Sequence, residues 1–403
     1  MAVPIGVLTT DERGRWAENL QYLLSLSPTN HQSFNAINSS VFAVSLDHYT
    51  YALSDSSSGS PLPLPPPDSP LELTAHLHNV RSGRGDRPVH NRWYDKPIDL
   101  VVECNTRAGV LGEHSPCDAL VPSIIAEYAV VQSLDEGAYG RLDEEADAEV
   151  AGWDRLEWVV DERIKRECAD AEGRAKLVVD DSDDDLLWYR TYGVEWIKNS
   201  ARLSPDAYIQ MALQLAWYRM RGCFTATYET ALTRLFHHGR TETIRTFTTD
   251  SRAFVLAMVE GKTSTPPLHA LLRRAIQTHS NLTRDAATGR GIDRHLLGLQ
   301  EMFLRDAGER HALFEDELFA RSQIWKLSTS GLSAGHQFRG TGFGAQYNDG
   351  YGINYTAGPD NIKFGIESKH SSSLTSTREF KSAVVRALDD MRSVCLENVG
   401  VRL

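Results

Sequence analysis

The sequence predicts a mixed α/β fold, in which helices and an antiparallel hairpin share one chain. Two kinds of periodicity predict it. Between residues 204 and 306 apolar side chains recur at helical spacing, whereas residues 350–368 alternate around the turn AGPDN. A capped amphipathic helix then closes the chain. With 403 residues, the chain is long enough for two domains with buried cores.

Two stretches in the first half have unusual composition. Residues 54–70, SDSSSGSPLPLPPPDSP, predict a disordered loop, because serine, glycine and repeated proline favour neither helices nor strands. The acid-rich stretch from Glu136 to Asp185 predicts a helix with a solvated face, followed by a loop around DDSDDD.

The middle of the chain predicts three helices. The first begins at Ser204-Pro205-Asp206, which offers a capping serine, a proline in the first turn and an acid, and it ends near Gly222. The second is predicted over FTATYETALTRLFHHG, with an apolar face of Phe224, Tyr228, Leu232 and Leu235. The third is predicted over GIDRHLLGLQEMFLRD, with an apolar face of Ile292, Leu296, Leu299 and Phe303.

The last 80 residues predict strands and a closing helix. IWKLSTS is predicted to be a strand, and GYGINYT and IKFGIES are predicted to pair as a hairpin. Ser376 and Glu379 form a capping box for the final helix. Its predicted buried face consists of Phe380, Val384, Leu388 and Met391.

Composition excludes several classes of function. A formal net charge of −12 argues against a nucleic-acid partner, which needs clustered lysine and arginine. The five scattered cysteines predict reduced, intracellular thiols. No stretch approaches the ~18 apolar residues of a membrane span, and we expect no secretory signal. The terminal Val-Arg-Leu resembles a peroxisomal signal only in part, so peroxisome, mitochondrion and cytosol stay open.

A few side chains are candidates for chemistry. His114 lies in GVLGEHSPCDALVP and is either a general base or an ordinary loop histidine. Cys117 is either a nucleophile or a small buried thiol. Arg294 is predicted to point away from the apolar face of its helix, where it is either solvated or suited to binding a carboxylate.

Metal and dinucleotide sites are not predicted. The pairs His76-x-His78 and His237-His238 have no carboxylate or cysteine beside them at a metal-ligand spacing. The glycines of residues 342–344 and 350–352 lie between strands and not at a strand-to-helix phosphate turn.

Ordered motifs along the whole chain resemble the choline/carnitine O-acyltransferase family. They are IGVLTTDERGRW, NRWYDKPIDLVVE, GEHSPCD, LSPDAYIQMALQLAWYRMRG, TATYETALTRLFHHGRTETIRT, DRHLLGLQ, KLSTS, DGYGINY and a closing helix with ALDDM. The resemblance implies acyl exchange between coenzyme A and the hydroxyl of carnitine or choline, without an acyl-enzyme. It also implies a chloramphenicol-acetyltransferase-like architecture of two similar α/β domains with the active-site tunnel between them.

The resemblance assigns roles to particular residues. His114 matches the family's base, which takes a proton from the carnitine hydroxyl or, in reverse, from the coenzyme A thiol. Asp118 matches a carboxylate that pairs with the arginine corresponding to Arg294. Arg294 would bind the carnitine carboxylate, which favours carnitine over choline. The NRWYDK motif is interpreted as structural.

Further matches complete the predicted substrate site. The carnitine-binding positions implied by the resemblance are Tyr228, Thr230, Thr241, Ser328 and Phe343, with Phe343 beside the trimethylammonium group. Ser330 would donate to the oxyanion of the tetrahedral intermediate. Lys198 and Asp206 are the matches to coenzyme A-binding residues.

The sequence departs from the family in three respects. Family members have a longer N-terminal part, so the histidine-bearing domain, residues 1–150, is expected to be incomplete, with exposed apolar sheet edges. The second domain, residues 151–403, has Val194, Ser280 and Gly331 where the family more often has lysine, arginine and glutamine, which predicts weaker coenzyme A binding. Thr341 stands at the acyl gatekeeper position and favours short to medium acyl chains.

The sequence therefore predicts a carnitine O-acyltransferase with coenzyme A or acyl-CoA as co-substrate and no metal. The alternative is a truncated, catalytically impaired homologue that binds acyl-CoA or a partner without turnover. We expect a monomer if the chain is complete, and association through the exposed sheet edge if it is not.

Overall fold

The mixed α/β prediction is confirmed by the computed structural model, which describes residues 3–53, 63–67, 69–84, 87–134, 153–261 and 267–400. A 3₁₀ turn, Ile5–Thr10, begins this part of the chain, and a π-helical turn covers Trp196–Ser200. The helices are α1 (Arg13–Leu26), α2 (Pro28–Ser39), α3 (Pro70–Ser82), α4 (Leu120–Val131), α5 (Glu162–Asp180), α6 (Pro205–Arg221), α7 (Thr249–Glu260), α8 (Leu268–Ala287), α9 (Asp293–Ala307), α10 (Ala312–Glu315), α11 (Glu317–Ser322) and α12 (Thr377–Gly400).

The strands found among the described residues form three separate sheets. They are β1 (Ala43–Asp47), β2 (Gly83–Arg84), β3 (Arg87–Pro88), β4 (Ile98–Glu103), β5 (Ala108–Gly112), β6 (Ser182–Tyr189), β7 (Thr227–Leu232), β8 (Thr241–Arg245), β9 (Leu327–Leu332), β10 (Tyr351–Ala357) and β11 (Ile362–Lys369). The sheet orders are β1-β4-β5, β2-β3 and β6-β11-β10-β9-β7-β8.

The chain divides into two units by packing. Unit 1 comprises residues 1–63 and 78–180, and unit 2 comprises residues 64–77 and 181–403. This packing boundary at residue 180 differs from the functional boundary at residue 150 that the sequence suggested, because α5 packs on the 3₁₀ turn of unit 1. The functional domains 1–150 and 151–403 stay a prediction.

Unit 1 contains a buried ion pair from the NRWYDK motif. Arg92 Nη2 lies 3.0 Å from Asp47 Oδ2, and the two side chains are 0% and 1% exposed. Arg92 also donates to Ser45 Oγ at 2.5 Å and to the Asn79 carbonyl at 2.9 Å. Burial raises the pKa of Asp47, but Arg92 outweighs burial and leaves that pKa below its usual value. The pair ties β1 to the segment that precedes β4.

The first strand of unit 1 exposes apolar side chains. β1 is an edge strand that pairs only with β4 in its three-stranded sheet. Val44 and Leu46 on this strand, and Phe42 just before it, are exposed. On α4, Ile125 and Tyr128 are exposed as well. Association through this surface stays a prediction.

In unit 2 the six-stranded sheet packs against helices. β10 and β11 pair antiparallel as predicted, and β9 runs parallel to β10. Every residue from Ala207 to Trp217 on α6 is buried, so this helix lies at the centre of the core. The predicted buried face of the last helix is confirmed, and Ser376 Oγ accepts a hydrogen bond from the Glu379 amide.

Helix α6 agrees with its predicted bounds. It ends at Gly222, which adopts φ +64°, a left-handed conformation that suits glycine. Its predicted cap differs from the structure, because the Ser204 side chain makes no capping hydrogen bond.

The helix predicted over residues 224–239 is wrong. Thr227–Leu232 is strand β7, and the chain then turns into β8. The predicted apolar spacing of four residues is an even number, so these residues share a face in a strand as well as in a helix. The threonines and Tyr228 favour the strand.

The acidic run DDSDDD was also misassigned, since its last four residues begin strand β6 and do not form a loop. Asp183 Oδ2 accepts a hydrogen bond from the Thr377 amide at 3.0 Å, in the first turn of α12. Asp185 accepts one from Thr74 Oγ1 at 2.7 Å. These partners make the acids compatible with a strand.

Other predictions have mixed outcomes. The helix around Arg294 is confirmed as α9, but Ile292, Leu299 and Phe303 on its apolar face are exposed. Most of the 54–70 loop, residues 136–152 and the terminal Val-Arg-Leu lie outside the described residues. Within the described part of the chain, every helix is too short or too polar to span a bilayer.

Replacing Arg92 with methionine should destabilise unit 1 by ~3–5 kcal/mol, because Asp47 would be left buried without its partner. The matched control is Arg13→Met, since Arg13 pairs with Asp95 at 2.8 Å on an exposed surface. This control should cost at most ~1 kcal/mol. Urea unfolding followed by circular dichroism measures both, and equal losses would contradict the structural role of Arg92.

Candidate active site

The loop between β5 and α4 holds His114. The side chain is 74% exposed, and its Nδ1 lies 3.1 Å from the Cys117 carbonyl oxygen. A carbonyl only accepts hydrogen bonds, so Nδ1 carries the proton in the neutral ring. The lone pair is then on Nε2, which is the atom that can act as a base.

Two acidic side chains support this loop in different ways. Asp118 Oδ1 lies 3.6 Å from His114 Nδ1, on the side away from the basic nitrogen. Glu113 accepts hydrogen bonds from the amide and the hydroxyl of Ser115. The Cys117 thiol faces the Glu113 carbonyl at 3.8 Å. Asp118 therefore lies beside the Nδ1 edge of the His114 ring.

Five predicted substrate residues share one face of the sheet in unit 2. Side chains alternate along a strand, and directly paired residues point to the same side. Tyr228 pairs with Ser328 across β7 and β9, and Leu232 pairs with Thr241 across β7 and β8. This face therefore carries Tyr228, Thr230, Thr241, Ser328 and Ser330.

Arg294 reaches the same residues from helix α9. Its Nη2 lies 3.4 Å from the Tyr228 hydroxyl, which also accepts from Thr230 Oγ1 at 3.3 Å. The start of α9 is anchored to β8, because Glu242 accepts from the Arg294 amide and Arg245 pairs with Asp293. The guanidinium thus lies beside two hydroxyl groups and is suited to a carboxylate.

Gly352 of the DGYG segment and Gly365 of β11 have no side chain, which lets the main chain of residues 341–344 lie against this face. A Cβ at Gly352 would lie 2.7 Å from the Phe343 carbonyl oxygen, and a Cβ at Gly365 would overlap the Thr341 carbonyl. Gly352 pairs with Ser328. The main chain carrying Phe343 therefore crosses the sheet on the side of Ser328.

Ser330 lies next to the predicted gatekeeper. It pairs with Asn354 across β9 and β10, and the Thr341 hydroxyl hydrogen-bonds the Asn354 side chain. At Gly331, on the opposite side, a Cβ would lie 2.8 Å from the Tyr355 ring. This contact explains why glycine follows Ser-Thr-Ser in this chain.

The predicted coenzyme A residues are placed differently. Lys198 is exposed on the π-helical turn. Asp206, in the first turn of α6, accepts a hydrogen bond from the Tyr355 hydroxyl at 2.6 Å. Tyr355 lies on the helix-covered side of the sheet, opposite Ser330. Asp206 is thus engaged by a core residue, which the sequence did not predict.

A buried polar cluster surrounds that contact. The Tyr355 hydroxyl also lies 2.5 Å from Glu229 Oε1, and Gln210 Nε2 donates to it at 3.1 Å. His279 Nε2 lies 3.4 Å from Glu229 Oε2, and these two side chains are 1% and 2% exposed. A hydroxyl donates one hydrogen, so a second proton is needed for both carboxyl groups to bond Tyr355.

A signal for this cluster is present in the sequence, but the wrong helix prediction for residues 224–239 obscured it. In a strand, Glu229 alternates with Tyr228 and Thr230 and must face the helices. An acidic residue on a buried face requires partners. Asp206, Glu229 and His279 each bring one ligand-type atom within 4.8 Å of the others. The Tyr355 hydroxyl contacts both carboxyl groups and can donate to only one of them, so the other must be protonated and donate to it, and we interpret the group as a proton-holding cluster.

Burial sets the proton affinity of this cluster. It raises the pKa of Glu229 to about 7, with a further contribution from the nearby Asp206. Burial alone lowers the pKa of His279, but the Glu229 carboxyl reverses this and leaves it above the usual value. The folded protein therefore keeps a proton here that the unfolded chain releases at lower pH.

The site residues predicted from the sequence are divided between the two units. His114 and Asp118 belong to unit 1, whereas Arg294, the substrate face, Phe343, Lys198 and Asp206 belong to unit 2. The structure brings together Tyr228, Thr230 and Arg294 by direct contact, and it places Ser328, Ser330 and Thr241 on their face. Asp118 and Arg294 belong to different units, so their pairing stays a prediction.

The stability of unit 2 should fall as pH rises from 5 to 8. Both Glu229 and His279 have a raised pKa in the folded state, so folding takes up a proton that is lost above about pH 7. Relative to Glu229→Gln, the wild type should lose roughly 2–3 kcal/mol over this range. Thermal unfolding at successive pH values measures the difference. If the stabilities of the wild type and Glu229→Gln changed in parallel with pH, the prediction would be refuted.

Comparison with known proteins identifies relatives over nearly the whole chain. The family model described as Choline/Carnitine o-acyltransferase matches residues 1–386. Muscle carnitine O-palmitoyltransferase 1 of Sus scrofa is 33% identical, covering 96% of this chain and 49% of the relative. Carnitine O-acetyltransferase of Rattus norvegicus is 32% identical, covering 99% and 61%. Choline O-acetyltransferase of Homo sapiens is 33% identical, covering 97% and 50%.

Solved structures give a more distant likeness. One solved structure concerns condensation domain-mediated chain release from the enacyloxin polyketide synthase. It aligns with a TM-score of 0.36 and 12% identity, and the alignment covers 77% of this chain and 62% of that one. A wax ester synthase/diacylglycerol acyltransferase from Marinobacter aquaeolei VT8 aligns with a TM-score of 0.31 and 6% identity, covering 53% and 49%. Similarities this distant do not identify the function of the chain.

The sequence relatives differ in acyl acceptor and acyl chain, since their names include carnitine, choline, acetyl and palmitoyl. The chain spans about half to three-fifths of the length of these relatives. Its match to the family model covers both units, including the histidine loop and the sheet face with Tyr228 and Ser330. The chain therefore belongs to the choline/carnitine O-acyltransferase family.

Proposed function

We propose that this chain carries out reversible acyl transfer between acyl-CoA and the hydroxyl of carnitine, with His114 as general base. The observation that carries the proposal is the sheet face of unit 2. There the Arg294 guanidinium, the Tyr228 and Thr230 hydroxyls and two serines of the Ser-Thr-Ser segment lie on one side. This combination suits a substrate with a carboxylate and a reacting hydroxyl.

The proposed chemistry begins at Nε2 of His114. It takes the proton of the carnitine hydroxyl while that oxygen attacks the thioester carbonyl carbon. The resulting tetrahedral oxyanion accepts a hydrogen bond from the Ser330 hydroxyl. When the carbon–sulfur bond breaks, the coenzyme A sulfur takes the proton from the imidazolium. Acylcarnitine and free thiol leave, and no covalent enzyme intermediate forms.

Asp118 would support this cycle from the other side of the ring. Since Nδ1 donates toward the Cys117 carbonyl and lies near Asp118, the ring can become cationic without losing its orientation. Lys198 and Asp206 would contribute to coenzyme A binding. For Asp206 this requires sharing its carboxyl group with Tyr355.

Carnitine is favoured over choline because of Arg294. Choline has no carboxylate, so a guanidinium beside the Tyr228 hydroxyl would have no partner on that substrate. Phe343 would contact the trimethylammonium group, which both substrates share. Thr341, hydrogen-bonded to Asn354 next to Ser330, leaves more room than a bulky side chain, and we propose short to medium acyl chains.

A second candidate function is binding of acyl-CoA without turnover. It is favoured by the engagement of Asp206 with Tyr355 in the core. The two functions differ in whether carnitine causes thiol release from bound acyl-CoA.

His114→Ala should lower carnitine-dependent thiol release from acetyl- or octanoyl-CoA by ~10²–10⁴-fold, since a general base contributes about this much. His48→Ala, an exposed histidine of the same unit, should leave the rate unchanged. Loss of activity in Cys117→Ala would instead indicate a covalent mechanism. Acyl-CoA binding without thiol release by the wild type would favour the second function.

Arg294→Gln should reduce kcat/KM for carnitine by ~10–100-fold, because a charge-assisted hydrogen bond to the carboxylate is lost. The effect should fall mainly on KM for carnitine and leave the KM for acyl-CoA unchanged. Arg305→Gln, an exposed arginine on the same helix, is the matched control. Steady-state kinetics with carnitine and choline measure the selectivity, and an unaltered preference would contradict the role of Arg294.

A further inference from the structure

The substrate face of unit 2 carries a second arginine besides Arg294. Arg245 on β8 pairs directly with Tyr228 on β7, so their side chains point to the same side of the sheet. Two guanidinium groups therefore lie near the Tyr228 hydroxyl, and the proposed function uses only that of Arg294. The contacts of Arg245 show what it does instead.

The charge of Arg245 is already paired within the chain. Its Nη2 lies 2.5 Å from Asp293 Oδ1, and its Nε donates to Asp293 Oδ2 at 3.0 Å. Its Nη1 donates to the Ser322 carbonyl at 3.0 Å. Asp293 is 6% exposed, which shields this two-point contact from water. The Arg294 side chain, by contrast, has no carboxylate partner among the described residues, so Arg245 is a fixed support and Arg294 is the cation left for a substrate.

Trp325, which comes just before β9, contacts both Arg245 and Tyr228. The Arg245 Cζ lies 4.7 Å from the centre of the indole ring, which is within cation–π distance. The rings of Trp325 and Tyr228 meet edge to face, with their centres 5.7 Å apart and their planes at 65°. Because Asp293 holds the guanidinium in place, the indole packs on a fixed group and in turn contacts the Tyr228 ring.

The hydrogen bonds of the Tyr228 hydroxyl are too long to fix the ring by themselves. It accepts from Arg294 Nη2 at 3.4 Å and from Thr230 Oγ1 at 3.3 Å, both beyond the usual length of such bonds. Its single hydrogen has no acceptor among the described residues and is left to donate. A carboxylate at Arg294 can take this second hydrogen bond only if packing keeps the ring in the same orientation, and Trp325 supplies that packing.

We propose that Trp325 is a positioning residue for the carboxylate of the acyl acceptor. It holds the Tyr228 ring so that the phenol hydroxyl and the Arg294 guanidinium meet one carboxylate together. Arg245 and Asp293 hold the indole in turn. Trp325 touches no reacting atom and acts through Tyr228. The inference rests on the proposed function, because it concerns the acceptor of the same reaction.

Trp325→Leu should raise KM for carnitine by about five- to tenfold, because both ring contacts are lost. The KM for acetyl-CoA should stay unchanged, since the indole acts on the acceptor alone. Trp325→Phe keeps a ring beside both neighbours and should remain within about threefold of the wild type. Trp153→Leu removes an exposed tryptophan and is the matched control, with both KM values unchanged. Steady-state thiol release measures these constants, and circular dichroism checks that each variant is folded.

A double-mutant cycle with Tyr228→Phe separates positioning from a general structural role. If Trp325 acts through the Tyr228 hydroxyl, Trp325→Leu should add less than about twofold to the carnitine KM of Tyr228→Phe. Effects that multiply independently would overturn the proposal, as would an unaltered carnitine KM in Trp325→Leu or an equal rise in both KM values.

Arg245→Lys gives the same test if the leucine variant does not fold. Lysine keeps a charge for Asp293 but loses the flat guanidinium against the indole, so the carnitine KM should rise by about two- to threefold, again only while the Tyr228 hydroxyl is present. An unaltered KM in this variant would contradict the role of Trp325. In each of these outcomes the wild type still turns over. A wild type without carnitine-dependent thiol release would instead overturn the proposed function and, with it, this role of Trp325.

Discussion

The hydrogen bonds of Thr329 join the two halves of the proposed substrate face. Its hydroxyl donates to the Tyr228 carbonyl at 2.7 Å and accepts from Gln210 Nε2 at 2.9 Å. Thr329 is fully buried, so both bonds are shielded from water. They hold β9 beside β7 and place Ser328 and Ser330 on the side opposite to Gln210. The arrangement of the face depends on this register.

The two sides of the sheet carry different kinds of residue, because side chains alternate along each strand. One side carries Tyr228, Ser330 and their neighbours, whose hydroxyl groups form the proposed substrate face. The other carries Glu229 and Tyr355, whose polar groups contact each other and the helices. The same short strands thus supply both a buried polar cluster and a candidate site.

Local patterns predicted much of unit 2 correctly. The turn AGPDN between two alternating segments predicted the β10–β11 hairpin, and the capping box at Ser376 predicted the start of α12. These features depend on residues close in sequence. Strand β7 was predicted as a helix because Phe224, Tyr228 and Leu232 recur every four residues, a spacing that both structures accept. Pairing with β8 and β9 decided between them.

The amino-acid sequence alone was enough to indicate the mixed α/β class, the family resemblance and His114 as a candidate base, since each depends on residue type and local spacing. The tertiary structure decided which nitrogen of His114 is basic, because that depends on the Cys117 carbonyl. It also decided the common face of Tyr228 and Ser330 and the burial of Glu229 beside His279. The members of each pair are 50 or more positions apart in the sequence, and no local pattern encodes such contacts.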